Sequence, residues 1–410
     1  MYPISQQNRN ELLRELLLHC TKHPLTKKRL AGIPLSELHQ PDSHKLLQQV
    51  IPKHSECHHK FTKLIKQNTS SIMFSTSGST GKEKYIALSF EEMLENTRHH
   101  GFAYQAAGIT RSDRVATFGM PSLLTSELTV HLALANTGCQ ILPIGQATCG
   151  ATIFRLISEL HANVLLVMPS DLHSLLDYME EEKYCLPQIR LIVTGGEKLQ
   201  QSLKRRIMQL CGNAQLKLSS TFQTADTGTI GYQCRYCVDN EYHIQEKLQY
   251  AEILASGELV ITNLKRRQMP VLRILTGDQA IWSGTPCLCG DQTAKILLKG
   301  RAAQNTKIGG EKIPIDFFDR LMESFSLHPH QFAVHIVTHD SGRDQICLKI
   351  HDRYRSQFRK IQAWLLNHNS LLREKIAVHL VEPYKIDILQ AHDLKRTKSG
   401  KFITIQDNRP

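Results

Sequence analysis

The chain has 410 residues, 41% of them hydrophobic, and a formal net charge of +12. That length and apolar content suit two or three packed cores, and no apolar run approaches the roughly 18 residues of a membrane span. Eleven scattered cysteines, an odd number in a long chain, argue against a disulfide framework and leave reduced thiols or a metal site. Residues 299–410 hold 19 Lys and Arg against 12 Asp and Glu, so +7 of the charge sits in the last quarter. Such a bias attracts a phosphorylated cofactor or another anionic surface. It has no basic run interleaved with aromatics, so no nucleic-acid partner is expected.

In chain order, a polar start, Met1–Gln6, leads into an amphipathic helix around Glu11–Leu18. The apolar segment of a secretory signal is missing there, and a cytoplasmic protein is expected. Apolar Ile72–Phe74 then enters Ser75–Lys84, a stretch rich in Gly, Ser and Thr. Arg114–Phe118, Gln140–Pro143, Val164–Met168 and Leu191–Val193 read as strands, with helical spacing in Ser126–Asn136 and Thr152–His161 between them. This alternation predicts an α/β fold with a parallel sheet and ligand loops at its strand ends. Short strands at Glu258–Thr262, Val271–Leu275 and Lys295–Leu298 predict a small β subdomain. After Gly300 a smaller α+β unit is expected. Its elements are a helix near Ile315–Ser324, strands at Gln331–Val337 and Gln345–Ile350, a helix at Arg353–Asn367 and a strand at Ile376–Val381. The expected division is a large domain, residues 1–299, and a small one, residues 300–410.

Several segments carry chemistry. In Thr76, Ser77, Gly78, Ser79, Thr80 and Gly81, small residues let the backbone bend so that N–H groups and hydroxyls converge on phosphate oxygens, and Lys82 and Lys84 add charge. The segment is not a Walker A loop, which needs Gly where Thr76 stands and Ser or Thr where Glu83 stands. Gly195-Gly196-Glu197 follows the strand ending at Val193, where a flat ligand can lie against the backbone. Asp226, before Thr227-Gly228, reads by itself as a turn residue. Asp278, placed after the strand Val271–Leu275, is set to accept both ribose hydroxyls. Cys287-Leu288-Cys289-Gly290 is a tight pair, with Cys234, Cys237 and His243 upstream. These can surround Zn²⁺ in tetrahedral N/S coordination; the preferred set is Cys234, His243, Cys287 and Cys289, with Cys237 as a substitute.

Taken in order, these segments resemble the adenylate-forming (acyl/aryl-CoA ligase) superfamily. Thr76–Lys84 is similar to its T-S-G-[ST]-T-G-x-P-K loop, with Glu83 in the proline position. Phe222–Asp226 stands where the family has aromatic-G-x-T-E; Ala225 replaces the Thr and Asp226 the Glu. Thr276–Asp278 matches T-G-D. Gly300-Arg301 with Lys307, Gly310 and Ile313 resembles the family's hinge block, but Ala303 and Gln304 occupy the places of its two aspartates. Lys395–Lys401 is similar to P-R-T-x-S-G-K. Gly257–Thr262 and Met269–Arg273 resemble the phenylacetate-CoA ligase branch, as does the early position of the phosphate loop. Arg273 reads as a structural arginine at least as readily as a ligand. A C-x-C-G with an upstream Cys and His also occurs in that branch.

The resemblance implies a two-step reaction. A small carboxylic acid, an aromatic one by analogy with the branch, attacks the α-phosphate of Mg·ATP and gives an acyl adenylate and pyrophosphate. A thiol, of CoA or of a carrier protein's phosphopantetheine, then displaces AMP. It further implies that Thr76 to Gly81 and Lys84 hold the phosphates, and that Gly195, Gly196, Glu197 and Phe222 meet the adenine. Asp278 and Arg301 would meet the ribose, Asp226 would hold Mg²⁺, and Lys401 would bridge the carboxylate and the α-phosphate. The small domain would act as a mobile lid carrying Lys401. Met120–Leu128 and the helix to Thr137 would border the acid. His131, on an apolar helix, reads as core or pocket lining. Two alternatives stand beside this reading. One is a loader of a carrier protein supplied in trans. The other is a degenerate nucleotide-binding protein without turnover, suggested by Glu83, Ala225 and Ala303.

Overall fold

The computed structural model describes residues 5–33, 43–54, 71–75, 85–119, 126–145, 149–284, 286–301, 305–308, 311–314, 316–396 and 402–409. The chain forms two compact units: residues 1–198 with 210–302, and residues 199–209 with 303–410.

In the first unit, the helix Gln6–Lys22 buries Leu13, Leu16, Leu17 and Cys20 in one cluster with Leu46, Leu47, Leu264 and Leu272. Its apolar residues fall three and four apart, which puts them on one stripe. The strand β1 (Lys53–His54) and the antiparallel hairpin of β2 (Ile72–Ser75) and β3 (Tyr85–Leu88) follow. Ser89 then starts the helix Phe90–Ala107 with a capping box: its hydroxyl accepts from Glu92 N, and Glu92 accepts from Ser89 N. Gly108, at φ +110°, ends that helix in the left-handed conformation.

Four strands then alternate with helices: β4 (Arg114–Phe118), β5 (Gln140–Gly145), β6 (Val164–Val167) and β7 (Leu191–Gly195). With β8 (Lys217–Thr224) they form a parallel array in the order β5-β4-β6-β7-β8. All four residues of β6 are buried, as expected of a central parallel strand covered on both faces. The core between this sheet and its helices includes Tyr104, Val115, Val130, Leu134, Val164, Leu166 and Leu191. Near the amino-terminal ends of these strands, Asp113 accepts from Arg190 Nε and Asn163 Nδ2, both at 2.9 Å. The opposite, carboxyl ends are thereby left to the site.

The later strands continue the same sheet. They are β9 (Gly228–Tyr232), β10 (Glu241–Ile244), β11 (Gln249–Ile253), β12 (Glu258–Asn263), β13 (Ile274–Ser283) and β14 (Lys295–Arg301). Beyond β8 the order is β9-β10-β14-β13-β12-β11, every pair antiparallel, with β1 parallel to β13. The expected small β subdomain is an antiparallel extension of this sheet, hydrogen-bonded to the parallel half through β8 and β9. The expected strand Val271–Leu275 instead begins at Ile274, because Arg273 has φ +42° and interrupts extended backbone.

In the second unit, β15 (Asn305–Ile308) and β16 (Glu311–Pro314) pair with each other. The strands β17 (Phe332–Thr338), β18 (Asp344–Ile350), β19 (Lys385–Ile388) and β22 (Ile405–Asp407) form a sheet in the order β19-β18-β17-β22, and β20 (Lys395–Arg396) pairs with β21 (Phe402–Ile403). Phe317, Phe318 and Leu321 of the helix Asp316–Phe325 pack with Val334, Leu348, Ile361 and Leu365 in its core. The strand expected at Ile376–Val381 is absent. Ser370–Ala377 is helical, His379 has φ +57°, and the edge strand forms at β19 instead.

Candidate active site

Thr76, Ser77, Gly78, Ser79, Thr80, Gly81, Lys84 and Lys401 lie outside the described residues, as do Ala303 and Gln304. The hairpin flanking residues 76–84 is well packed: Phe74, Ile86 and Leu88 are buried with Met93. Ala225 packs against this same cluster. A methyl group suits that apolar contact, which gives a local reason for Ala where the family pattern has Thr.

Gly195 ends β7, in register with Thr221 of β8. A Cβ there would stand 2.8 Å from Thr221 Oγ1, so any larger residue would force that hydroxyl aside. Gly196 has φ +77°, which also favours glycine. The carboxylate of Glu197 is engaged elsewhere: it accepts from Ser170 N at 2.9 Å and from Ser170 Oγ at 3.1 Å. Ser170 lies in the turn that starts the helix Leu172–Glu181, so Glu197 ties the glycine turn to that helix.

Phe222 lies on β8, half-buried, with its ring 5.7 Å from that of Tyr242. Tyr242 donates to Ser220 Oγ at 3.1 Å. Burial raises the Tyr242 phenol above its usual range, and the charge of Asp278 adds to that shift. Tyr242 thus packs beside Phe222 and feels the charge of Asp278. Its only sequence signal is alternation with His243 on β10. Asp278 is buried and sits within β13, opposite Arg301 of β14, rather than at a strand end. Gly277, at φ +78°, and a register shift at Gln279/Ala280 bend the strand there.

Asp226 occupies the turn between β8 and β9, half-buried. The turn is held from several sides. Gln249 Nε2 donates to Thr227 O at 3.0 Å and to Thr229 O at 2.8 Å, and Asn263 Nδ2 donates to Thr227 O at 2.9 Å. Arg273 is fully engaged in structure: Nε and Nη2 donate to Glu252 at 3.0 Å each, and Nη1 donates to Gln48 O and Val50 O. His131 Nε2 lies 2.9 Å from Thr117 Oγ1 at the end of β4.

The sulfur-rich cluster joins the β9–β10 and β13–β14 connections. The donor atoms of Cys234, His243, Cys287 and Cys289 lie within 4.8 Å of one another. Cys234 Sγ is 3.4 Å from Cys287 Sγ, and Cys289 Sγ is 3.5 Å from His243 Nε2. A tetrahedral Zn²⁺ with bonds of about 2.3 Å to sulfur and 2.0–2.1 Å to nitrogen separates its donors by about 3.5–3.8 Å, so the four side chains fit that ion. Backbone N–H groups of Tyr236 and Asp291 approach Cys234 Sγ and Cys289 Sγ at 3.4 Å each. The ring of Tyr232 stacks on His243 at 5.4 Å and 16°, and its hydroxyl donates to Asp291 at 2.6 Å. Cys237 Sγ lies 3.6 Å from Cys234 Sγ and is the spare thiol of the group.

A parallel half-sheet with a glycine turn at the carboxyl end of β7, an acid in the β8–β9 turn and a buried acid on β13 define a nucleotide-binding protein of the adenylate-forming class. The AMP-binding enzyme family matches residues 14–250. The chain belongs to that family. It is similar to the phenylacetate-coenzyme A ligase of Pseudomonas putida, with 24% identity over 220 residues, 50% of this chain and 49% of that one. This chain therefore spans about half the length of that relative. Its similarity to the phenylacetate-coenzyme A ligase of Aromatoleum evansii is 23% identity over 358 residues, 82% of this chain and 78% of that one. Its fold is shared with a 2-hydroxyisobutyryl-CoA ligase solved in the postadenylation state with 2-HIB-AMP, at a TM-score of 0.75 and 17% identity, covering 98% of this chain and 89% of that one. Among the described residues, no helix is long and apolar enough to cross a membrane.

Proposed function

We propose that this protein activates a small carboxylic acid with Mg·ATP and passes the acyl group to the thiol of CoA. The carboxylate attacks the α-phosphorus, the bond to the bridging oxygen breaks, and pyrophosphate leaves. The CoA thiol then attacks the acyl carbon, loses its proton and displaces AMP. The observation that carries this reading is the Phe222–Tyr242 ring pair on a sheet that also bears buried Asp278 on β13 and presents Asp226 in its β8–β9 turn. Relatives named as phenylacetate-coenzyme A ligases support CoA as the acceptor and an aryl-acetic acid as the substrate.

In this reading Gly195 and Gly196 give the adenine a flat backbone surface, with Phe222 beside it. Asp278 accepts the ribose hydroxyls with Arg301 across the strand pair, and Glu197 acts through Ser170 by fixing the glycine turn. Residues Thr76–Lys84 cradle the β- and γ-phosphates, and Lys401 balances the charge that builds on the α-phosphate as the carboxylate attacks. Asp226 would hold Mg²⁺, which neutralises phosphate charge when bound. Cys234, His243, Cys287 and Cys289 would hold a structural Zn²⁺ that fixes the two connections together.

The test is ATP–pyrophosphate exchange with Mg²⁺ and a panel of aryl, aryl-acetic, fatty and amino acids, followed by addition of CoA or a carrier protein. Exchange with one acid and thioester formation with CoA are expected. ATP binding without exchange for any acid would overturn the enzyme reading in favour of a binding protein. Transfer to a carrier protein alone would overturn CoA as the acceptor.

A further inference from the structure

The sulfur-rich cluster offers five donors to an ion that takes four. Cys234, His243, Cys287 and Cys289 already supply a tetrahedral set. Cys237 stands outside that set, yet its Sγ lies 3.6 Å from Cys234 Sγ. The two residues close one tight turn: Cys237 N donates to Cys234 O at 3.2 Å, and Tyr236 N donates to Cys234 Sγ at 3.4 Å. A turn of this kind brings its end Cα atoms within about 7 Å. A disulfide spans about 4.4–6.8 Å between Cα atoms, so the pair is placed to form one. Bringing the sulfurs from 3.6 Å to a bond of about 2.0 Å is a movement of side chains within that turn.

The two thiols differ in access. Cys234 is buried and Cys237 is half-buried. The connections that carry them reach the surface, where Tyr236, Val238 and Leu288 are exposed. A small oxidant therefore meets Cys237 before Cys234. A cysteine sulfur bound to a metal is a thiolate, the form that attacks another sulfur. The exposed thiol is thus set to be oxidised and its ligand neighbour to attack it.

We propose that Cys237 is a site of reversible oxidation by a hydroperoxide, closing a Cys234–Cys237 disulfide that opens the metal cluster. This rests on the reading of Cys234, His243, Cys287 and Cys289 as a zinc site. The Cys237 sulfur attacks one peroxide oxygen. The O–O bond breaks, an S–O bond forms, and the departing oxygen takes up the thiol proton and leaves as water, or as an alcohol from an organic hydroperoxide. Cys234 then attacks the sulfur of the Cys237 sulfenic acid. The S–S bond forms, the S–O bond breaks, and hydroxide leaves and is protonated by solvent. Two electrons pass in all from the two cysteines to the peroxide. Cys234 is lost as a ligand, three donors remain, and the β9–β10 connection is untied from the β13–β14 connection. A dithiol reductant reverses the change by thiol–disulfide exchange.

The test treats the zinc-loaded full chain with hydrogen peroxide while a chromophoric chelator reads released zinc, and alkylation with peptide mass mapping locates the disulfide. Zinc release in step with one Cys234–Cys237 disulfide is expected, both reversed by dithiothreitol and added zinc. Cys237→Ser should purify with the wild-type zinc content and release it about 10-fold more slowly or less, because the partner held beside Cys234 is gone. Melting temperatures confirm that the variant is folded, and Cys237→Ala carries the same expectation if Cys237→Ser is not. Release from a folded variant at the wild-type rate overturns the proposal, as does a Cys234–Cys287 disulfide in place of the expected one. A folded Cys237→Ser chain that purifies without zinc overturns it too, since Cys237 would then be a ligand. Zinc content is measured before peroxide is added. A wild-type chain without zinc sinks the metal reading and the proposal with it, whereas a zinc-loaded chain that forms no Cys234–Cys237 disulfide sinks the proposal alone.

Discussion

Thr293 holds His243 by its inner nitrogen: the hydroxyl oxygen lies 3.1 Å from Nδ1, which leaves Nε2 turned toward Cys289 at 3.5 Å. This is the arrangement in which a partner on one imidazole nitrogen orients the other for a metal. Purified protein is expected to hold about one Zn²⁺ per chain, and a content below roughly 0.2 would remove the site. His243→Ala should abolish binding, and Thr293→Val should weaken zinc affinity about 10- to 100-fold, measured by competition with a chelator.

Arg273 joins β13 to Glu252 of β11 and to the carbonyls of Gln48 and Val50, with both charged side chains nearly buried, at 8% and 12% exposure. Arg273→Leu leaves the Glu252 carboxylate without its partner. It should cost about 3–5 kcal/mol in urea unfolding, while any folded fraction keeps its nucleotide affinity. A folded variant of unchanged stability but lost ATP binding would show Arg273 to be a ligand instead.

His100 is 1% exposed, and neither ring nitrogen has a hydrogen-bond partner among the described residues. Burial lowers its pKa from 6.5 to about 4. Between those values the unfolded chain binds a proton that the folded chain refuses, so stability falls as the pH drops from 6.5 toward 4. The loss is on the order of 3 kcal/mol. His100→Leu should flatten that part of the pH–stability curve, with the wild-type difference greatest near pH 4 and smallest above pH 6.5. An unaltered slope would show that His100 titrates normally.

Asp278→Ala and Lys401→Ala should separate binding from chemistry. The first should weaken ATP binding about 10-fold or more, the loss of a charge-assisted pair of hydrogen bonds. The second should leave ATP binding largely intact and lower pyrophosphate exchange about 10²- to 10³-fold. Equal effects of the two on binding would place Lys401 in the ground-state site.

The parallel half of the sheet was legible because β4, β6 and β7 are short apolar runs separated by helical spacing, and both faces of such strands are buried. The clustering of Cys234, His243, Cys287 and Cys289 was legible because Cys-x-Cys and an upstream Cys and His are rare side chains with few structural uses. The start of β13 was not, since Val271 and Leu272 are apolar and buried but the break lies in the φ of Arg273, which its carbonyl and carboxylate partners impose from distant segments. Ile376–Val381 misled for a related reason. Its apolar residues serve the end of a helix, and Val378 and Leu380 are exposed. Tyr242 carried no motif at all; its packing on Phe222 brings together residues far apart in sequence.

The strand β10 lies between β9 and β14, although β11, β12 and β13 are made before β14. At about 5–20 residues per second, translation leaves the outer edge of β10 unpaired for several seconds until residues 295–301 emerge. The half-built cysteine cluster waits through the same interval, because Cys234 and His243 precede Cys287 and Cys289. Sealing that edge and completing the cysteine–histidine cluster are thus one late event in the life of the nascent chain. A ribosome stalled before Cys287 would present an open strand edge together with Cys234 and His243 lacking their later partners.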